Sequence, residues 1–285
     1  NNLVPINNNL IDQIFRFKEK KTKPFYSLKR NITGETHQSK ILKITNFLRL
    51  NKADYLFISA PENIAWLLNI RGYDNPNSPI PNARLIISKN KNIFLITHKN
   101  NTIRIIKENK IKKNQVINIE ALPKLINNLK GKNFIIDNKS CSIFYENLIK
   151  SKFEVLNIGD PIYKFKSIKN PQEINHMIEA HKKDGLALTR FIYWIKNINK
   201  KTITEVEAQN KLEKFRKLNK NYLFPSFNTI AGSGSNGAIV HYRATTKSTK
   251  KIKKNDIFLV DSGGQYNYGT TDVTRTICFS NQKLS

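Results

Sequence analysis

Two aspartates near the end of the sequence are the residues best placed to do chemistry. Asp261 follows a β-branched apolar run, Asp272 precedes an alternating run, and the segment between them, rich in Gly and Asn, is typical of a hairpin turn. If the tip lies between Tyr266 and Asn267, the two aspartates face each other directly across neighbouring strands. Carboxylates about 5 Å apart on one face of a sheet repel each other, and a bound cation removes that repulsion. The pattern therefore predicts a metal site, of the hydrolytic kind in which carboxylates bridge two ions about 3.5–4 Å apart.

The alternative interpretation of this pair is two surface aspartates that each cap a turn. It is less favoured because small residues crowd the same hairpin, namely Gly263, Gly264, Gly269 and the threonines at 270 and 271. Small residues let backbone or ligand approach closely. Hard oxygen ligands favour manganese, cobalt, zinc or magnesium over softer metals.

A histidine that precedes the hairpin is a candidate for the same chemistry. His241 belongs to residues 233–242, where a flexible glycine-rich loop is predicted to lead into a short apolar strand. On residue type alone, a core histidine satisfied by backbone groups is favoured, whereas beside a hydrolytic metal site it would donate a hydrogen bond or move a proton. Arg71 follows a predicted helix and is interpreted as an ordinary exposed arginine. The sequence contains no catalytic-serine elbow, phosphate-binding glycine loop or His-Glu-x-x-His motif.

Composition restricts the class of protein. The 285 residues suffice for two domains, and no apolar run approaches the roughly 20 residues of a membrane span. Two cysteines are too few for a disulfide framework and favour a reducing compartment. The net charge of +28 does not predict a specific nucleic-acid partner, because lysine accompanies asparagine and isoleucine throughout and no basic stripe with interleaved aromatics occurs. Weak, salt-sensitive binding to polyanions is expected.

The elements that must position these residues form an arm and two domains. Residues 1–35 are polar, with one short helical stretch over residues 10–18, and are predicted to be a linker arm. Residues 36–163 alternate helices and strands, which is typical of an α/β domain. The helices are predicted at 36–55, 61–69 and 142–150, and the strands at 55–59, 84–88, 92–97 and 133–137. Residues 164–285 begin with a long helix to about residue 197 and a second helix from a Thr204–Glu207 capping box. Strands follow from 227 to 279, which predicts an α+β domain.

The chain resembles the aminopeptidase P (Xaa-Pro aminopeptidase) family of pita-bread metallopeptidases, which is related to prolidase, creatinase and methionine aminopeptidase. The resemblance rests on residues 60–72, 168–174, 232–242 and 261–276, of which the last stretch is the most specific. It implies an α/β creatinase-type N-terminal domain followed by an incomplete α+β pita-bread domain. It also implies a cytoplasmic protein that forms a homodimer, with no membrane segment.

The resemblance assigns roles to the residues singled out above. Two divalent ions, with Mn2+ the expected metal, would be held by Asp261, which chelates one ion, and by Asp272, which bridges both. His241 would bind substrate and stabilise the tetrahedral intermediate, and no catalytic role passes to Arg71. The implied reaction releases the N-terminal residue that precedes proline in a peptide. A prolidase-type dipeptidase and a catalytically inactive pita-bread binding module are the alternatives.

The sequence departs from the family pattern at one point. The family's metal centre uses two Asp, one His and two Glu, yet no His, Asp or Glu follows Asp272. We therefore expect the sequence to be part of a longer protein in which three further ligands occur. The stretch alone is expected to bind metal weakly and to be inactive, because two carboxylates cannot hold two cations in a fixed geometry.

Overall fold

The computed structural model describes residue 6 and residues 10–15, 23–198 and 203–279 of the chain. Within these ranges, alternating elements come first, and two long helices then precede a group of strands. The helices are α1 (Leu10–Ile14), α2 (Arg30–Thr33), α3 (His37–Leu50), α4 (Pro61–Leu68), α5 (Lys99–Lys107), α6 (Leu122–Asn128), α7 (Ile143–Lys150), α8 (Ile162–Ser167), α9 (Pro171–Asn197) and α10 (Glu205–Lys217). The strands are β1 (Tyr26–Ser27), β2 (Tyr55–Ile58), β3 (Ile70–Arg71), β4 (Arg84–Ser88), β5 (Ile93–Ile96), β6 (Val116–Ile117), β7 (Asn133–Ile136), β8 (Glu154–Asn157), β9 (Tyr222–Pro225), β10 (Ile230–Ser233), β11 (Ile257–Ser262), β12 (Gly264–Tyr266), β13 (Gly269–Thr270) and β14 (Val273–Cys278). Residues 16–18 of the first predicted helix lie outside the described residues.

A six-stranded mixed sheet is the centre of the first unit, in the order β6-β5-β4-β2-β7-β8. Strand β4 pairs antiparallel with β2 and with β5, so the predicted hairpin over residues 84–97 is confirmed. Strand β7 runs parallel to both β2 and β8. Strands β2 and β4 are apolar on both sides because helices cover both faces of the sheet, which is the usual pattern for such strands.

Two apolar clusters, one on each face of this sheet, hold the helices in place. On one face, Ile44 of α3 and Ile64 of α4 pack with Leu85 of β4. On the other face, Ile126 of α6 and Ile149 of α7 belong to the second cluster. Burying a side chain of this size stabilises the fold by about 1.5–3 kcal/mol, so burial in the two clusters contributes more than helix propensity to keeping these helices on the sheet.

The helix boundaries follow from local capping chemistry. Helix α4 begins at Pro61, which suits a first-turn position, and ends before Asn69, whose φ of 53° is left-handed. Helix α10 begins at the predicted capping box, in which the Thr204 side chain and the Glu207 side chain each accept the other's backbone N–H. The predicted start of this helix is therefore confirmed.

The second unit places α9 and α10 against the antiparallel sheet β10-β11-β14. Phe191 of α9 and Leu212 of α10 share one buried cluster with Phe258 and Val260 of β11. Strands β13, β12 and β9 form a second small antiparallel sheet. Helices followed by antiparallel strands make this an α+β unit, as predicted. None of the helices in the described ranges has the length and apolar character needed to cross a bilayer.

The predicted apolar strand before His241 is wrong. Residues 234–238 form the 3-10 helix Gly234–Ala238, and Ile239 and Val240 follow it as exposed residues outside any strand. His241 itself has a φ of 56°, in the left-handed region, which is incompatible with an extended chain.

Candidate metal centre

Strand β11 presents Asp261 on the face of the sheet that points away from the helices. Phe258, Val260 and Ser262 are buried toward α9 and α10, whereas Leu259 and Asp261 lie at the alternate positions and are only half-buried. Alternate residues of a strand face opposite sides. The candidate site therefore lies on the open face of the sheet.

The register of the hairpin places the two aspartates diagonally rather than directly opposite. Asp261 pairs with Thr274, and the inner strands pair Tyr266 with Gly269, so the tip lies one residue later than predicted. The prediction that Asp261 and Asp272 face each other directly is therefore wrong. Asp272 precedes Thr274 by two residues and lies just before β14 begins. Since alternate residues of an extended segment face one side, we expect both carboxylates on the open face. Diagonal neighbours are about 7–8 Å apart, which leaves room for ions between them.

Close packing at Gly263 accounts for this register. A Cβ added to Gly263 would lie 1.9 Å from the backbone oxygen of Thr271 and 2.2 Å from Oγ of Ser226. The Ser226 hydroxyl in turn donates to the Thr271 carbonyl at 2.8 Å, and the Ser226 N–H donates to the Gly263 carbonyl at 3.1 Å. The passage from β11 to β12 is thus fixed by contacts with Ser226, the residue after β9, which the local sequence does not reveal.

One carboxylate oxygen of Asp261 fits a cation. Its Oδ1 is buried and has no hydrogen-bond partner among the described residues. A buried carboxylate oxygen without a donor is costly, and a hard divalent ion is the partner that this atom suits. Asp272 is exposed and lies directly before β14. In the described ranges, no group of three or more His, Cys, Asp or Glu residues is arranged to hold a metal.

The loop that carries His241 is anchored by a buried glutamate that the sequence reasoning missed. Glu205 is fully buried at the start of α10 and accepts hydrogen bonds from Ser233 N at 2.8 Å, Asn236 Nδ2 at 3.0 Å and Tyr242 OH at 2.9 Å. Burial, together with the bond to Glu205, raises the pKa of Tyr242. In sequence Glu205 is simply an acidic residue in a helical first turn, so nothing marked it as an anchor.

The same loop lies over the open face of β11, but the structure does not join His241 to the aspartates. A Cβ built on Gly237 of this loop would lie 3.7 Å from Cβ of Leu259. Leu259 precedes Asp261 by two residues. His241 is exposed, which excludes the predicted core histidine, and no hydrogen bond or ion pair among the described residues links its ring to Asp261 or Asp272.

A buried ion pair supports the hairpin from beneath. Arg216 of α10 donates from Nε to Asp184 Oδ1 at 2.7 Å and from Nη2 to Asp184 Oδ2 at 3.0 Å. The Arg216 Nη2 also donates to Ser262 Oγ at 3.1 Å, and Tyr266 OH donates to Asp184 Oδ1 at 2.8 Å. Burial and the adjacent Asp184 carboxylate raise the pKa of Tyr266. Ser262 and Tyr266 of the hairpin are thereby bonded to α10 and α9, on the face of the sheet opposite Asp261.

Arg71 is not at this site, and its interpretation as an ordinary exposed arginine is wrong. It lies in β3 of the first unit, half-buried, and lines a cavity of about 590 Å³ between the two units. Neither Asp261 nor Asp272 lines that cavity.

Two family models match the chain. Residues 17–173 match the creatinase/prolidase N-terminal domain, and residues 175–284 match metallopeptidase family M24. The chain is 33% identical over 288 residues to an Xaa-Pro aminopeptidase of Drosophila melanogaster, which covers 97% of this chain and 46% of the relative. It is 30% identical to aminopeptidase P2 of Arabidopsis thaliana, over 96% of this chain and 43% of that protein. The chain thus spans about half the length of the curated relatives it matches.

Solved structures share the architecture. The X-prolyl aminopeptidase of Caenorhabditis elegans, described as a cytosolic enzyme with a di-nuclear active site, superposes with a TM-score of 0.87 at 26% identity. That match covers 98% of this chain and 47% of the other. Prolidase from Pyrococcus furiosus superposes with a TM-score of 0.62 at 24% identity, over 84% of this chain and 66% of its own, and shows the fold alone.

Proposed function

We propose a function from the premise that this chain belongs to metallopeptidase family M24, with a creatinase/prolidase N-terminal domain followed by a pita-bread domain. The complete gene product is a metal-dependent aminopeptidase that releases an N-terminal residue preceding proline. The buried Oδ1 of Asp261, without a partner among the described residues on the open face of the sheet, is the observation that carries this proposal. The names of the relatives at 30–33% identity support the choice of substrate.

The metal centre in this proposal is built on the two hairpin carboxylates. Asp261 and Asp272 hold two divalent ions, with manganese as the expected metal, and further ligands come from outside the described residues. When bound, such ions polarise a scissile carbonyl and lower the pKa of a water nucleophile. Asp261 is pre-positioned for this task because the Arg216–Asp184 pair holds the neighbouring Ser262.

His241 acts on the substrate in this proposal. Its loop is fixed at Tyr242 and Asn236 through Glu205, while its own side chain stays exposed. An exposed imidazole held by an ordered loop can donate a hydrogen bond to a substrate carbonyl and transfer a proton to the departing amine. This role is supported by the loop's position over Leu259 and by the family resemblance.

Location and assembly are proposed on the same basis. We place the protein in the cytoplasm because the Caenorhabditis elegans relative is described as cytosolic. A homodimer is proposed from the family resemblance. Specific nucleic-acid binding is not expected, since the excess of Lys and Arg over Asp and Glu, 49 against 21, is spread along the chain.

Peptide cleavage by the complete gene product tests the proposal. The purified protein, stripped with a chelator and reloaded with Mn2+, should release Phe from Phe-Pro-Ala and leave Phe-Ala-Pro intact. The dipeptide Phe-Pro distinguishes a prolidase-type dipeptidase, which would prefer it to the tripeptide. A fully metal-loaded protein that cleaves none of these peptides would support the inactive binding module instead.

A further inference from the structure

Lys40 and Arg71 line the cavity between the two units, and neither has an ion-pair partner among the described residues. Lys40 of α3 is 1% exposed, and its Nζ donates to the carbonyl of Trp66 at 2.9 Å and to Asn69 Oδ1 at 2.8 Å. Nζ also lies 4.0 Å from the centroid of the Trp66 ring. All three partners are uncharged. Burial lowers the pKa of Lys40 to about 8, which shows that its charge is poorly compensated.

Arg71 is a second cation of the same cavity, and its side chain is half-buried. Its Nη1 donates to the carbonyls of Ala65 at 3.1 Å and Ile70 at 2.8 Å, and its other nitrogens have no acceptor among the described residues. No carboxylate within the described ranges lies within ion-pair distance of its guanidinium group. Burial lowers the pKa of Arg71, and Glu173 offsets this only from a distance. Buried charges are normally paired, so this guanidinium edge faces the cavity ready for an anion.

The rest of the lining is compatible with an organic anion. Lys166 and Lys169 add positive charge, whereas the two acidic residues of the lining are already engaged. Glu62 lies 3.9 Å from Lys166 Nζ, and Glu173 accepts the N–H of Asn170 at the start of α9. Trp66, Ile80 and Met177 supply apolar surface. A volume of about 590 Å³ is in the range of small-molecule sites.

We propose that this cavity binds a small organic oxyanion, whose carboxylate or phosphate group pairs with Arg71 and Lys40 and whose apolar part packs against Trp66. The planar fork of arginine suits either head group, because both offer two oxygens at its spacing. The site joins the first unit to the segment 265–270 of the hairpin, which forms the opposite wall. Neither Asp261 nor Asp272 lines this cavity, so the anion would contact neither carboxylate.

Tryptophan fluorescence tests the site directly, because the chain has two tryptophans and one of them lines the cavity. In the Trp194→Phe variant of the 285-residue chain, Trp66 is the remaining reporter. Titration at constant ionic strength uses 3-phenylpropionate and phenyl phosphate as probes and the neutral 3-phenylpropionamide as the matched control. We expect a saturable change with the charged probes and a much weaker one with the amide. The tighter of the two charged probes identifies the preferred head group.

Variants separate this site from general attraction to a basic protein. Arg71→Gln should weaken binding at least about tenfold, as expected for lost hydrogen bonds to a charged group. Lys169→Gln, on an exposed rim residue, should weaken it about two- to fivefold. Arg49→Gln removes one charge outside the cavity and should leave binding unchanged. Thermal melting of each variant confirms folding. If Arg71→Gln does not fold, the affinity of Lys169→Gln compared with that of Arg49→Gln tests the site instead.

Three results would overturn the proposal. The first is no saturable response of Trp66 to either charged probe. The second is equal binding of the neutral amide, which would make the cavity an apolar pocket. The third is an equal loss of affinity in Lys169→Gln and Arg49→Gln, which would reduce the effect to net charge. Peptide cleavage is not a readout here, so failure of the proposed enzymatic function leaves this test intact.

Discussion

Replacing Arg216 by methionine should destabilise the second unit severely, since it removes half of a buried ion pair. Arg216 is 1% exposed and Asp184 is 2% exposed. The substitution leaves the Asp184 carboxylate buried with only the Tyr266 hydroxyl as a side-chain donor. Breaking a buried pair in this way costs about 3–5 kcal/mol. Whole domains are stable by only about 5–15 kcal/mol, so we expect a large part of the stability of this unit to be lost.

Urea unfolding measures this effect within one unit. With Trp66 replaced by Phe in every variant, the fluorescence of Trp194 in α9 reports on the second unit. The matched control is Lys182→Met, which breaks the exposed pair between Lys182 and Glu179 on the same helix, 2.9 Å apart. Exposed pairs contribute about 0.2–1 kcal/mol. An Arg216→Met cost no greater than that of Lys182→Met would refute the argument.

A second variant distinguishes the lost ion pair from simple loss of packing. In the double variant Arg216→Met/Asp184→Leu, no uncompensated charge remains, and apolar replacements of buried pairs are often neutral. We expect the double variant to recover at least about 1 kcal/mol relative to Arg216→Met. Recovery stays partial because the hydroxyls of Ser262 and Tyr266 lose their partners, at about 1–3 kcal/mol each. A double variant less stable than the single one would show that packing, not charge, dominates.

Four further substitutions test the hairpin, the acid stability and the proposed metal ligand. Gly263→Ala should cost about 3 kcal/mol, because its Cβ would lie 1.9 Å from the Thr271 carbonyl oxygen. The matched control is Gly185→Ala in α9, where an added Cβ meets nothing within 4 Å, and it should stabilise the fold by about 0.5–1 kcal/mol. Equal effects of the two glycine substitutions on urea unfolding would contradict this. Burial, and then nearby Lys110 and Lys40, lower the pKa of His37 in the folded chain to about 4. The wild-type chain should therefore lose stability as the pH falls from 6.5 to about 4, and His37→Gln should remove that loss. In that window the unfolded chain binds the proton first, so wild-type stability falls as the pH falls; an unchanged slope in the variant, measured at pH 7.5, 5.5 and 4.5, would exclude His37. Asp272→Ala in the complete gene product should abolish Mn2+-dependent release of Phe from Phe-Pro-Ala, and retained cleavage would exclude its role as a ligand.

Elements whose signals are local were predictable from the sequence. The helical spacing in α3, the first-turn Pro61 of α4 and the capping box of α10 each act within a few residues. The hairpin β4–β5 is local as well. The predicted order of an α/β domain and an α+β pita-bread domain is confirmed by the family models and the structural neighbours. The boundaries proposed for the arm and the domains, and the roles of Asp261, Asp272 and His241, stay predictions.

Features set by tertiary contacts could not be predicted in this way. The hairpin tip shifts by one residue because Gly263 packs against Ser226 and Thr271, and Gly269 packs against Ala180 of α9, where an added Cβ would lie 2.8 Å from the alanine Cβ. The partners are far away in sequence, so turn propensity alone could not choose between the two registers. Glu205 and Arg216 carry charges on helices and so look like solvent-facing residues. Only the three-dimensional packing shows that both are buried and bonded.

The segment between Asp261 and Asp272 contacts three other parts of the fold. These contacts help to fix the separation of the two carboxylates. Helices α9 and α10 hold it through the Arg216–Asp184 pair, and β9 holds it by pairing with β12. The first unit holds it as well, because Gln265 Nε2 donates to the Asn77 carbonyl at 3.0 Å. A two-stranded hairpin alone is only marginally stable in water, so the diagonal spacing of the aspartates depends on these outside contacts. The creatinase-type unit is therefore part of the framework that holds the segment between the two aspartates. Under the proposed metal role, Gln265→Ala, which removes the side-chain donor of this bond, should weaken Mn2+ binding by the complete gene product without touching a proposed ligand.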